Sequence, residues 1–191
     1  MTTVIEMIGL GRSGKSTQIK LLETYLKNKG YSVGVIHDRK RAEDLIIPFT
    51  EIIGYKLAFA SRALDQYFKY KDKVNYIIIE RGWVDFKVWI KAEEILKHIT
   101  EERANQLKTT FYEYDKEVDE VVCLVVDLAV AKERQELFLE NQGDKFNDFV
   151  VGNYATALEG AYSQFEDCVK VDGSDSEEEI HSKIIEIVEK V

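Results

Sequence analysis

The chain has 191 residues, 45% of them hydrophobic and 32% charged, and carries a formal net charge of −9. That composition predicts one globular domain, 1–191, with a substantial core, and the acidic balance argues against a general nucleic-acid-binding surface, which works by neutralising phosphates with Lys and Arg. No apolar run approaches the roughly 18 residues of a membrane span, and the first residues lack the basic-then-apolar layout of a signal peptide, so the expectation is a soluble cytoplasmic protein with no membrane partner.

Thr3 to Ile8 is rich in apolar residues and predicts a strand, unusual in carrying Glu6, because a buried carboxylate needs a partner. Gly9-Leu10-Gly11-Arg12-Ser13-Gly14-Lys15-Ser16 follows, a G-x-x-x-x-G-K-S pattern, and a helix-period segment starts near Lys15. This strand-to-helix setting makes the pattern a phosphate cradle. The glycines let the backbone bend so that successive N–H groups, from Gly9 through Gly11, Ser13 and Gly14, point at phosphate oxygens, and the helix N-terminus adds its positive end. Lys15 would reach the β- and γ-phosphates of ATP, and the Ser16 hydroxyl would hold Mg²⁺.

Ile19, Leu22 and Leu26 recur at helical spacing, and Asn28-Lys29-Gly30 ends that helix. Tyr31 to His37 reads as the second strand. Lys40 to Lys73 reads as two helices interrupted around Pro48 and Gly54, the better one over Gly54 to Tyr70. Tyr76 to Ile79 is a wholly apolar strand closed by Glu80-Arg81-Gly82; such a run fits a parallel sheet buried on both faces. Trp83 to His98 and Glu101 to Tyr114 read as helices, Val121 to Val126 as a third apolar strand, and Ala129 to Glu140 as a charged helix broken at Asn141-Gln142-Gly143-Asp144. Phe146 to Glu166 resumes helical periodicity, and Cys168 to Val171 is a brief last strand. Ser176-Glu177-Glu178-Glu179 is a capping box opening a terminal helix with Ile180, Ile184, Ile187 and Val188 on its apolar face. Cys123 and Cys168 read as small core residues, and no histidine has metal-ligand spacing.

Strands alternating with helices imply right-handed crossovers and a parallel sheet of about five strands with helices on both faces. Ligands in such sheets bind at the carboxyl ends of the strands. That rule gathers the glycine loop, His37 to Arg39, Glu80-Arg81, Asp127 and Asp172-Gly173 into one crevice. Glu80 stands where a second carboxylate orients Mg²⁺ or accepts a proton from the attacking group, its plainer reading being a strand-end ion pair. Trp83, Phe86 and Trp89 read either as core or as an aromatic acceptor pocket in which Asp85 meets a base edge or sugar hydroxyl.

The chain resembles the thymidylate-kinase-like group of P-loop nucleoside and nucleotide kinases over nearly its whole length. Gly9 to Gln18 is similar to that group's phosphate loop and includes Thr17; Leu57-Ala58-Phe59-Ala60-Ser61-Arg62-Ala63 is similar to the helix whose arginine meets the acceptor phosphate. Glu80-Arg81 falls where the group has Asp-Arg or Glu-Arg, Ala131-Lys132-Glu133-Arg134 resembles the lid, and Val171-Asp172-Gly173-Ser174 resembles the loop near the donor adenine. The resemblance implies a P-loop NTPase sheet of order 2-3-1-4-5, a short lid over about 131–147, and transfer of the ATP γ-phosphoryl group to a nucleoside or nucleoside monophosphate. Under it, Lys15 and the loop hold the donor together with Asp172 and Gly173, Ser16 and Glu80 organise Mg²⁺, and Arg12 and Arg134 stabilise the transition state. Arg39, Arg62, Arg81, Asp85 and Phe59 would then bind the acceptor, and the protein would be a homodimer through the helices after Glu80-Arg81. Gly11 and Ile8 depart from the group's Asp and Glu, and the usual Arg-Glu-Pro-Gly-Gly run is replaced by His37-Asp38-Arg39-Lys40-Arg41. The rival reading is a non-catalytic or weakly hydrolytic nucleotide-binding protein that acts as a switch or regulator.

Overall fold

The computed structural model describes residues 2–37, 45–48, 50–137 and 153–191, together with the backbone of 138–142. Five strands form one parallel sheet: β1 (Thr3–Gly9), β2 (Val33–Ile36), β3 (Tyr76–Glu80), β4 (Glu120–Val125) and β5 (Val169–Asp172). Their spatial order is β2-β3-β1-β4-β5, the order expected. The described helices are α1 (Lys15–Asn28), α2 (Ile52–Tyr70), α3 (Trp83–Ile95), α4 (Glu101–Lys108), α5 (Tyr112–Asp115), α6 (Leu128–Gln142), α7 (Asn153–Gln164) and α8 (Glu177–Val188). None of them is long and apolar enough to cross a membrane.

Strand alternation sorts the core into two faces. Ile5 and Met7 of β1, Ile78 of β3 and Val122 and Leu124 of β4 pack against Ile19, Leu22 and Leu26 of α1 and Ile180, Ile184 and Val188 of α8. On the opposite face, Val4, Ile77 and Ile79 meet α2 and α3, while Ile8 and Cys123 meet α3 and α7. Both faces are covered, which is why the strands need no polar alternation. Glu6 falls on the second face and points at the start of α3.

Local boundaries differ from the periodicity where tertiary contacts intervene. Gly54 does not interrupt α2, which starts at Ile52: Ile52, Phe59, Ala60, Ala63 and Tyr67 are buried, and that burial outweighs the ~1 kcal/mol cost of a helical glycine. β2 begins at Val33 because the Ser32 backbone N–H and hydroxyl both donate to Asn75 Oδ1, at 2.9 and 2.8 Å. The helix expected over Glu101 to Tyr114 is two pieces, parted where Phe111 turns in to meet the Phe86 ring edge-on at 5.5 Å. α3 stops at Ile95, with Lys97 in the left-handed region at φ 59°. α6 runs through Asn141 and Gln142, where a break was expected. The helix before Pro48 and the start of the one expected at Phe146 lie mostly or wholly outside the described residues. The capping box at Ser176 forms as read, Ser176 and Glu179 each accepting the other's backbone N–H.

Candidate functional site

The register β1–β3–β4 brings the carboxyl ends of the strands level, with Met7 opposite Glu80 and Gly9 opposite Leu124. At Gly9 the chain leaves β1 at φ 140°, and a Cβ there would stand 2.4 Å from the Leu124 carbonyl oxygen, so only glycine fits. Gly14, at φ 96°, is the N-cap of α1; among the described residues no side chain caps it and no acidic residue stands in the first turn. The first N–H groups of α1 therefore face the loop, the arrangement that favours an anion.

Lys15 is almost completely buried. Its ammonium donates to the Gly9 and Leu10 carbonyls at 3.0 and 2.7 Å and contacts Ser13 Oγ at 3.0 Å, so the positive charge sits inside the loop. Ser13 is buried beneath it, Gly11 is half-buried, and Thr17 lies exposed next to Ser16. The Ser16 hydroxyl donates to Glu80 Oε1 at 2.5 Å across the β1–β3 junction. Glu80, 5% exposed, has its other oxygen 3.7 Å from His37 Nδ1 at the end of β2. Among the described residues no cluster of three or more His, Cys, Asp or Glu is present to hold a metal alone. A hydroxyl beside a single carboxylate does fit Mg²⁺, which takes hard oxygen ligands and completes its shell with phosphate oxygens and water.

Two arginines of the crevice occupy the left-handed backbone region, Arg12 at φ 63° and Arg81 at φ 54°. Such conformations persist only when their surroundings hold them. The Arg81 guanidinium donates to the Gly9 carbonyl from Nη2 at 3.1 Å, and its backbone N–H reaches Met7 O at 3.1 Å. Arg12 Nε donates to Gln135 Oε1 of α6. Arg134 donates from Nη2 to the Gly173 carbonyl at 2.8 Å and from Nη1 to the Arg12 carbonyl at 3.4 Å. Gly173 packs so close to the loop that a Cβ would lie 3.0 Å from the Ser13 carbonyl oxygen, while Asp172 Oδ1 accepts the Ser174 backbone N–H at 2.8 Å. One junction thus joins the loop, α6 and the β5–α8 turn.

The expected acceptor residues are more dispersed. Phe59 and Arg62 lie on one face of α2, where Phe59 is buried and stacks on Tyr55 at 6.1 Å between centroids. Asp85 is 1% exposed in the first turn of α3 and accepts the Tyr162 hydroxyl at 2.6 Å. Burial and the Asp85 charge hold the Tyr162 hydroxyl well above its ordinary pKa. Trp83 and Phe86 are core residues, Trp83 Nε1 donating to the Tyr114 carbonyl at 3.1 Å; Trp89 is buried with the Lys56 ammonium 3.5 Å above its ring. Arg39 lies outside the described residues. Missing from the sequence-derived site are Gln135, Tyr162 and the backbone donors to Glu6; His37 signalled itself only by standing at a strand end.

Glu6 finds its partners at α3. Its Oε1 accepts the Gly82 and Asp85 backbone N–H groups at 2.8 Å each, and Oε2 accepts that of Val84 at 3.2 Å. Burial lifts its pKa from 4.5 to about 7, against the pull of those N–H groups. This carboxyl caps α3, which has no side-chain cap of its own at Gly82, and so sets the path of Glu80-Arg81 into the crevice.

No protein-family model matches the chain, and no curated protein matches it by sequence. Among solved structures it is similar to deoxyadenosine kinase from M. mycoides with bound dATP, at a TM-score of 0.69 and 17% identity, covering 98% of this chain and 100% of that one. Thymidylate kinase from Candida albicans is similar at a TM-score of 0.67 and 18% identity, over 99% of this chain and 92% of that one. The M. mycoides enzyme with bound dCTP is similar at 0.65 and 15%, over 99% and 100% of the two chains. At these identities the likeness is one of fold, the five-stranded parallel sheet of a P-loop kinase.

Proposed function

We propose that the protein transfers the γ-phosphoryl group of ATP to a nucleoside or nucleoside monophosphate. The observation that carries this reading is the Ser16–Glu80 hydrogen bond at 2.5 Å beside the Lys15 loop. It sets a hydroxyl and a buried carboxylate together at the mouth of an uncapped helix N-terminus. The likeness of fold to two kinds of nucleoside and nucleotide kinase supports the same reading.

The loop N–H groups and Lys15 bind and orient the β- and γ-phosphates, Lys15 exchanging loop carbonyls for phosphate oxygens. Ser16 and Glu80 would hold Mg²⁺, which when bound neutralises charge on the transferring phosphates. Arg12 lies at the loop tip to brace the negative charge that spreads over the phosphoryl oxygens, a role worth about 10³–10⁵ in rate where arginine fingers supply it. Arg134 holds the Gly173 turn and the loop together around the donor. Arg62 and Arg81 orient the acceptor, with the buried Asp85 and Phe59 packed behind them. The lid expected over about 131–147 starts within α6 and would exclude water from the transfer.

Incubation with ATP, Mg²⁺ and a panel of nucleosides and monophosphates tests the proposal, with the phosphorylated product as readout. A new product that depends on both acceptor and Lys15 is the expected result. Tight ATP binding with no product from any acceptor would replace the reading with that of a regulator, and full activity of Lys15→Ala would overturn it.

A further inference from the structure

α6 grips a single residue of the phosphate loop twice. Arg134 Nη1 reaches the Arg12 carbonyl, and the next residue, Gln135, accepts from Arg12 Nε through Oε1. Gln135 is completely buried, and its Nε2 has no hydrogen-bond partner among the described residues. A buried amide with one donor unsatisfied is a poor choice for packing alone, since an apolar side chain of the same size would avoid that penalty. Its use lies in the acceptor. A neutral oxygen on Nε fixes the plane of the guanidinium without cancelling its charge, whereas a carboxylate there would do both. The backbone of Arg12, at φ 63°, is held in a sparsely populated region, so the side chain starts from a constrained direction.

We propose that Gln135 is a positioning residue: its buried carboxamide aims the Arg12 guanidinium at the phosphoryl group in flight. This rests on the phosphotransfer reading above and adds to it a residue on α6 that touches neither substrate. A residue that only packed α6 against the loop would instead support ground-state nucleotide and transition state alike.

The test compares binding of ADP with Mg²⁺ alone and with aluminium fluoride added, which mimics the planar phosphoryl group, in four proteins: wild type, Gln135→Met, Arg12→Ala and the double variant. Expected is at least a tenfold loss of the aluminium fluoride complex in Gln135→Met, with ADP affinity within twofold and Tm unchanged or raised. In the Arg12→Ala background the same substitution is expected to cost nothing further, because its route of action has gone. Equal losses for ADP and for the mimic, or an undiminished loss in the Arg12→Ala background, would overturn the inference while leaving the kinase reading intact. A wild type that gains nothing from aluminium fluoride would overturn the inference, and one that binds no nucleotide would overturn both. If Gln135→Met does not fold, Gln135→Asn takes its place with the same expected pattern, since it keeps the amide and falls one methylene short of Nε.

Discussion

The Glu6 carboxylate, in the middle of the central strand, accepts the backbone N–H of Asp85 at 2.8 Å and so closes the first turn of α3 from another element. Capping is ordinarily a local matter settled by the residue just before a helix. Here Gly82 occupies that place without a side chain, and a Cβ on it would come 2.7 Å from Glu6 Oε2. The glycine and the carboxylate therefore belong to one device. Truncation by Glu6→Ala leaves three buried N–H groups without their acceptor and is expected to cost on the order of 3 kcal/mol, read from urea unfolding midpoints. An effect under about 0.5 kcal/mol, the size of ordinary surface substitutions, would show that the cap is dispensable.

Glu6 also makes stability depend on pH. Its folded pKa, about 7, stands above the ordinary 4.5 because burial disfavours the charge. Between those values the folded protein keeps a proton that the unfolded chain releases, so stability falls as pH rises through this window. The loss is complete above 7, absent below 4.5, and amounts to about 3 kcal/mol. Glu6→Gln keeps an acceptor for Gly82 and Asp85 without the titration. The variant's denaturation profile between pH 4.5 and 7 is expected to be flatter than wild type by that amount, and parallel profiles would contradict it.

Lys15→Ala and Arg12→Ala test the loop at two levels. On the proposed phosphotransfer, loss of Lys15 removes a donor to the phosphates and is expected to lower phosphoryl transfer by about 10²–10³. Loss of Arg12 is expected to lower kcat by about 10³ with the KM for ATP little changed, because the role proposed for it belongs to the transition state. Equal effects of Arg12→Ala on kcat and KM would assign that residue to ground-state binding instead.

Gly9→Ala places a methyl group against the Leu124 carbonyl at a backbone angle that L residues rarely adopt. It is expected to destabilise the protein by about 3 kcal/mol or more and to abolish nucleotide binding, seen as a lost ATP-dependent rise in Tm. A stable variant that still gains Tm with ATP would mean that the loop can be rebuilt without glycine at its exit from β1.

Tyr162→Phe removes the hydroxyl that Asp85 accepts in a buried site. The expected destabilisation is about 1–3 kcal/mol by chemical denaturation, with a raised acceptor KM once the acceptor is known. An unchanged midpoint would show that the bond contributes nothing to folding.

Much of this molecule is legible along the chain because its contacts are short in sequence. The glycine loop is read from eight consecutive residues, and the bonds of Lys15 to Gly9 and Leu10 stay within six positions. The Ser176–Glu179 box is equally local. The unbroken apolar runs of β1, β3 and β4 mark strands covered on both faces, and the alternation of strands and helices leads from there to a parallel sheet. Even the placement of Glu80 at the crevice follows from its being the last residue of β3. The resemblance to a kinase group supplied the strand order, which composition and periodicity do not carry.

Other features depend on side chains that meet across long stretches of chain. Glu6 is a puzzle in sequence because the N–H groups that donate to it begin 76 residues away. Gln135 sits in a charged helix pattern with nothing to mark it, and the Arg12 it holds is 123 positions distant. Trp83 and Phe86 were open between core and pocket until packing put them in the core. By itself the sequence determined the glycine loop, the strands and the sheet class, since hydrogen bonding and periodicity act between near neighbours. Only the tertiary structure decided which buried polar groups pair, because desolvation makes each of them demand a partner and the fold alone selects which distant residue arrives.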